Sequence, residues 1–331
     1  MKIKKEYIAL VVVIAALVAY LVFHKTNRTH YQLPDVPKVS EKKISKLEIT
    51  TKGEKILLNK KDDNWFIGEK AYPADKGKVN DILEVLGNLS LSALVSESKN
   101  YVRYELDDEK KISVKAWSGG DLIRELDIGK AASTYQHTFV KLDGDPNIYQ
   151  ARGYFRTKFE KSADDLRDKV VLAFKEDEIT AVEIYKDQST TVISKKEKPS
   201  EKKEEKKGAD TEKEKGSKKE AEKQFEWQTA EGKVMEASKV KNLISYFTDF
   251  RCETYIEDKN KEAFAEKDPA VRITLKGKKD YSLSVFAKDK EKDGNAPAVS
   301  SVNPYPFLIT KSTAERIDDK IKELLNPEEK K

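Results

Sequence analysis

A single cysteine and three histidines in 331 residues exclude a disulfide framework and a Cys/His zinc module. No glycine-rich stretch has the spacing of a phosphate-cradling loop, and Ser118-Gly119-Gly120-Asp121 reads as a hairpin turn. A Ser/His/Asp or Cys/His catalytic group would have to use His137, because His24 and His30 precede the folded region. His137 lies in Thr134-Tyr135-Gln136-His137-Thr138, a loop entering a strand, and reads as a surface or hydrogen-bonded ring. A concentrated basic face is also missing. The net charge is +5, but residues 195–224 alone hold twelve lysines against nine acids. A second excess, Lys2, Lys4, Lys5, Lys25 and Arg28 against Glu6, flanks an N-terminal apolar run. The remainder is slightly acidic, which excludes nucleic acid as the expected partner.

What is present begins with that apolar run. Tyr7–Phe23 is charge-free over seventeen residues and would span roughly 26 Å as a helix. Aromatic residues stand near both ends, and the lysines before it place residues 1–6 in the cytoplasm by the positive-inside tendency. The reading is an uncleaved transmembrane helix at 7–23 in a bacterial cytoplasmic membrane, single-pass, with the C-terminal part extracytoplasmic. A cleaved signal peptide is the competing reading; the run is long for one, and no A-x-A pattern follows it. Residues 24–43, with Pro34 and Pro37, read as a tether.

Beyond the tether the sequence repeats itself, and self-similarity at this scale sets the architecture. Ile44-Ser45-Lys46-Leu47-Glu48-Ile49 matches Ile179-Thr180-Ala181-Val182-Glu183-Ile184 in apolar/polar alternation, the period of a half-buried strand. A second strand follows in each, then Trp65 or Trp227. Lys78–Leu89 aligns without gaps to Lys239–Phe250, with one amphipathic stripe in both. Asp75 and Ser238 are expected as the N-caps. Continuing in that register, Ile112-Ser113-Val114 faces Ile273-Thr274-Leu275, and Cys252 faces Leu91, which suggests a small buried residue. Further strands are expected at Leu122–Ile128, Thr138–Leu142, Asn147–Gln150, Tyr281–Phe286 and Phe307–Thr310. Each copy closes on a helix, starting at Ser162 in the first and at Thr313 in the second. The expected fold is therefore α+β: the transmembrane helix, then two tandem β-β-α-meander-α repeats with mostly antiparallel sheets. The repeats span 44–169 and 179–326, joined by a connector at 170–178 and followed by a tail at 327–331.

The second copy carries a Lys/Glu-rich insert at 195–224 with no apolar stripe, expected to be disordered. The acidic pairs Asp107-Asp108, Asp164-Asp165 and Asp318-Asp319 fit turns and helix starts better than metal or acid–base sites. Trp65, Trp117 and Trp227 are expected to pack on the sheets. No catalytic, cofactor-binding or metal residue is assigned, and no cofactor is expected.

Several stretches together resemble domain-of-unknown-function family 4340: Ala74-Asp75…Lys78-Val79, Tyr104-Glu105-Leu106-Asp107, Leu126-Asp127-Ile128-Gly129, Asp145-Pro146-Asn147-Ile148-Tyr149 and Leu166-Arg167-Asp168-Lys169-Val170-Val171-Leu172. The resemblance covers most of residues 44–325, best in the first copy. Glu105 stands where glycine is common in the family, and the long insert is a second departure. The resemblance implies a bacterial membrane-anchored protein encoded beside gliding-motility-type ABC transporter components, and it transfers no catalytic residue. The expected function is a non-enzymatic scaffold or accessory subunit of a membrane complex, its partners the cytoplasmic membrane and an ABC-type transporter component. The alternative is an envelope module that binds glycan, lipid or peptide in a cleft between the repeats. An envelope hydrolase would need His137 or an acidic pair inside a pocket.

Overall fold

The computed structural model describes residues 5–23, 31–197, 225–287 and 294–325, and the chain divides into two units after Arg167. Helix α1 is Lys5–Phe23. In the first unit the chain then runs β1 (Lys46–Thr51), β2 (Glu54–Lys61), β3 (Asn64–Ile67), β4 (Tyr72–Pro73), α2 (Lys76–Gly87), β5 (Leu91–Ser96), β6 (Ile112–Ser118), β7 (Asp121–Ala131), β8 (His137–Leu142), β9 (Ile148–Arg152), α3 (Arg156–Phe159) and α4 (Ala163–Leu166). In the second it runs β10 (Val170–Ala173), β11 (Ile179–Lys186), β12 (Ser189–Glu197), β13 (Phe225–Thr229), β14 (Val234–Met235), α5 (Ala237–Phe247), β15 (Asp249–Arg251), β16 (Thr254–Tyr255), β17 (Val271–Gly277), β18 (Tyr281–Val285), β19 (Ala296–Ser300), β20 (Phe307–Ile309) and α6 (Lys311–Leu325).

Each unit is built on a nine-stranded antiparallel sheet, and the two sheets have one topology. Their orders are β4-β3-β2-β1-β6-β7-β8-β9-β5 and β14-β13-β12-β11-β17-β18-β19-β20-β16. Alternation along each strand sends one set of side chains to a core face. In the first unit Leu47, Ile49, Leu58, Val114, Leu126 and Ile128 meet Val79, Ile82, Leu83 and Leu86 of α2 in one buried cluster. In the second, α5 buries Val240, Leu243, Ile244 and Phe247. Burial of such a stripe, at about 25 cal/mol per Å² of apolar surface, is what holds a twelve-residue helix that would be marginal alone.

The ends of these helices show how local chemistry differs between copies. The Asp75 carboxylate accepts from the amides of Gly77 (2.9 Å) and Lys78 (3.1 Å), a side-chain N-cap. The equivalent cap in the second unit is Glu236, not Ser238; it has the same extended backbone but makes no side-chain cap bond. Ser238 already lies inside the helix, where its hydroxyl bonds the Glu236 carboxylate. For α6, likewise, the capping hydroxyl is that of Thr310, which accepts from the Thr313 amide at 3.1 Å.

Segments outside the sheets also follow a common plan. Val39 N–H donates to the Gly87 carbonyl at 3.1 Å, and Phe174 N–H donates to the Thr248 carbonyl at 3.3 Å. The stretch before β11 continues backward as β10, which pairs with β15. Its counterpart before β1 contains Pro37, which lacks an amide to donate, and no strand forms there. The Pro37 carbonyl instead accepts from Nη2 of buried Arg124 at 2.6 Å. Residues 170–173 therefore belong to the second unit's pairing. They are held there also by the Ser300 hydroxyl bonded to the Val171 carbonyl.

The fold expected from sequence is corrected on three points. Among the described residues no helix is long and apolar enough to cross a membrane, so the transmembrane helix expected at 7–23 is withdrawn. Lys5 and Glu6 occupy the first turn of α1, and the charge-free remainder, roughly 26 Å, falls short of a ~30 Å hydrocarbon core. Second, the α+β balance is wrong: strands dominate, and the closing element of the first unit, α4, is only four residues long. It is a single turn fixed by the Ser162/Asp165 capping box. Third, the repeat register slips by two residues between helix and strand. Val114 pairs with Ile49 as Ile273 pairs with Ile184, so Ile112 corresponds to Val271. A two-residue slip preserves which face a side chain occupies, which is why the periodic pattern conceals it. Most of the 195–224 insert, the tail at 327–331, His24 and His30 lie outside the described residues; Lys195–Glu197 end β12.

Four substitutions test this packing by equilibrium urea unfolding of the full chain. A Cβ on Gly129 would stand 2.3 Å from the Tyr104 carbonyl oxygen and 2.9 Å from Leu106, whereas one on Gly120 would meet nothing within 4 Å. Gly129→Ala is expected to cost about 1–3 kcal/mol and Gly120→Ala close to nothing. Asp75→Ala is expected to cost about 1 kcal/mol, and Glu236→Ala no more than a few tenths, because only the first removes a cap bond.

Candidate functional site

The faces opposite α2 and α5 present the side chains that the cores do not use. On the first sheet Lys46, Asn59, Phe66 and Trp117 share one row by register. The Lys46 ammonium lies 4.5 Å from the Trp117 ring centroid, a cation–π contact. The next row joins half-buried Leu57 to Glu48, Lys115 and Glu125, with Lys55–Glu48 at 3.1 Å and Lys115–Glu125 at 2.7 Å. The Glu125 carboxylate raises the pKa of Lys115 above its ordinary value. In the third row the Ser113 hydroxyl donates to Asp127 at 2.6 Å, and Lys141 (3.1 Å) and Lys111 (3.7 Å) flank the same carboxylate. Lys111 also pairs with Asp108 at 2.7 Å, which pulls the Asp108 pKa down and pushes that of Lys111 up. This face is a charge lattice that balances itself, with Trp117, Phe66 and Leu57 set into it.

The second sheet's face is different. Its register equivalents of Ser113 and Asp127 are Arg272 and Ser284, which pair across β17 and β18. Arg272 Nε donates to the Ser284 hydroxyl at 3.1 Å. The flanking lysines are gone as well: Val299 stands opposite Ser284, and Ala270 precedes β17. The loop turn Lys261–Phe264 rises over this region, its Asn260 cap accepting from the Ala263 amide. Phe264 packs on Phe286 (centroids 5.1 Å apart) in a small cluster with Ile256 and Val299. Between loop and sheet lies a trough of about 430 Å³ lined by Lys261, Phe264, Arg272, Phe286, Val299 and a row of hydroxyls. Its size falls in the range of small-ligand sites.

Of the residues considered from sequence, Trp117 and Asp108 belong to the first sheet's face and the others lie elsewhere. His137 opens β8 opposite Arg152, and its carbonyl accepts from the Ala132 amide. Cys252 is buried in the second unit, its amide donating to the Lys169 carbonyl. Asp165 serves the α4 cap, Asp318 pairs with Lys186 at 2.9 Å, and Asp107-Asp108 make the turn before β6. Trp65 is buried under α2, while Trp117 and Trp227 are half-buried. Among the described residues no group of three or more His, Cys, Asp or Glu is placed to hold a metal ion. The sequence reading missed Arg272 and Ser284. The ungapped alignment set Thr274 opposite Ser113, and a two-residue correction would have exposed the exchange of a carboxylate for a cation.

A double-mutant cycle tests the first lattice. Asp127 and Lys141 are expected to couple by about 0.5–1 kcal/mol in urea unfolding, and 1 M salt is expected to reduce that coupling by at least half.

A family model described as Domain of unknown function (DUF4340) matches residues 65–269, which is more than half of the chain. Comparison with curated proteins and with solved structures finds no match.

Proposed function

We propose, from the premise that this chain belongs to the DUF4340 family, a non-enzymatic role as a scaffold or accessory subunit of a membrane complex in the bacterial envelope. The observation that carries the reading is the face of the first sheet opposite α2. Trp117, Phe66 and Leu57 stand there among paired charges, the mix of aromatic anchors and polar rim that protein interfaces use. Further support is that acidic groups considered for catalysis are bonded into the frame: Asp165 in a helix cap and Asp318 in an ion pair. The partner implied by the resemblance is an ABC-type transporter component. The reading does not use a membrane-spanning helix; membrane association comes through that partner.

Purification of the full-length protein from its native membranes in mild detergent, with mass spectrometry of what accompanies it, tests the proposal. A stoichiometric membrane-protein partner is expected, reduced at least tenfold by Trp117→Glu. A protein that purifies alone sinks the scaffold reading. A partner that Trp117→Glu leaves in place moves the interface off this face.

A further inference from the structure

We propose that the trough on the second unit binds a small amphipathic carboxylate, one negative group adjoining an apolar or aromatic one. In the first unit the chain's own Asp127 carboxylate occupies the centre of the third row, held by a hydroxyl and two ammonium groups. In the second unit that carboxylate is replaced by Ser284, and the position beside it gains the guanidinium of Arg272. The internal anion is gone and a cation stands in its row.

The bonding of each cation decides which anion fits. Lys261 Nζ is committed to the carbonyls of Ser300 (2.5 Å) and Asn303 (3.2 Å), so its donors are largely spent. Arg272 uses Nε on Ser284 and stacks its guanidinium 6.0 Å from the Tyr185 ring centroid. Among the described residues its terminal Nη groups have no carboxylate partner, which leaves a planar two-donor fork. That fork matches the two oxygens of a carboxylate. Asp280 lines the trough as well, accepting from the Gly277 amide at 3.4 Å. A guanidinium with open Nη donors suits a monoanion, whereas a dianionic phosphate would meet stronger repulsion from the Asp280 carboxylate in the same lining. The apolar wall of Phe264, Phe286 and Val299 is where the ligand's hydrocarbon part leaves water. The site stands independently of the scaffold reading, since the two use different sheets.

The test is ligand-observed saturation-transfer NMR on the full-length protein in dodecyl maltoside, titrating N-acetyl-phenylalanine and, as the neutral control, its amide. The acid is expected to saturate in the low-millimolar range, with the amide at least tenfold weaker. Arg272→Gln is expected to bring the acid down to the amide's level, and Arg272→Lys, which keeps charge but loses the fork, to weaken it several-fold. Arg272 is exposed, so both variants are expected to keep the wild-type urea midpoint. Should the glutamine variant unfold, the lysine variant carries the test. Equal binding of acid and amide to the wild type, or acid binding untouched in the folded variants, overturns the proposal.

Discussion

Everything in each unit depends on one contact: an amphipathic helix laid across one face of an antiparallel sheet. Val79, Ile82, Leu83 and Leu86 close the first core, and Val240, Leu243, Ile244 and Phe247 the second. Because that contact consumes one side of every strand, the other side is left to polar and aromatic residues that answer to no core. The common strand order, the shared hydrogen bond from the preceding segment to the helix end, and the matched hairpins all serve to keep the helix seated.

Duplication therefore conserves the inward half of the pattern and frees the outward half. Core positions exchange one apolar residue for another, as Val114 for Ile273 and Leu58 for Ile193. Some core-facing positions depart from this: Ile67 gives way to Thr229 and Leu142 to Ser300, and Arg124 in the first unit stands where Tyr281 stands in the second, judged by their partners Ala116 and Leu275. Each of this last pair is covered by its own preceding segment, Arg124 by the Pro37 carbonyl and Tyr281 by the Phe174 ring at 5.0 Å. Burial lowers the pKa of Arg124 from its ordinary value, and its Nε has no hydrogen-bond partner among the described residues. An aromatic pair in the second unit avoids the cost of desolvating a cation.

On the outward half the divergence changes chemistry. The first sheet binds its charges to one another and keeps apolar side chains, Trp117, Phe66 and Leu57 among them, in their midst; the second trades that lattice for a hydroxyl-lined trough with one arginine. A self-neutralised face suits a broad protein surface, and a trough with an incompletely used guanidinium suits a small anion. One architecture thus presents two kinds of surface.

The alternation of Lys46–Ile49 and the stripe of Lys78–Leu89 by themselves determined that there are two copies, that each has a strand pair ahead of a helix, and which side of each is buried. Those properties are local: side-chain period follows from backbone geometry within a few residues. Family membership was legible for the same reason, since the motifs that carry it are turns and core positions. Register between non-adjacent strands, the joining of β10 to β15 and the outward pairing of Arg272 with Ser284 were decided only in the tertiary structure. A shift of two residues leaves the apolar pattern unchanged, so sequence periodicity cannot detect it. Which residues face each other across a sheet depends on loop lengths and on where a proline withholds an amide, and those are settled when distant segments meet.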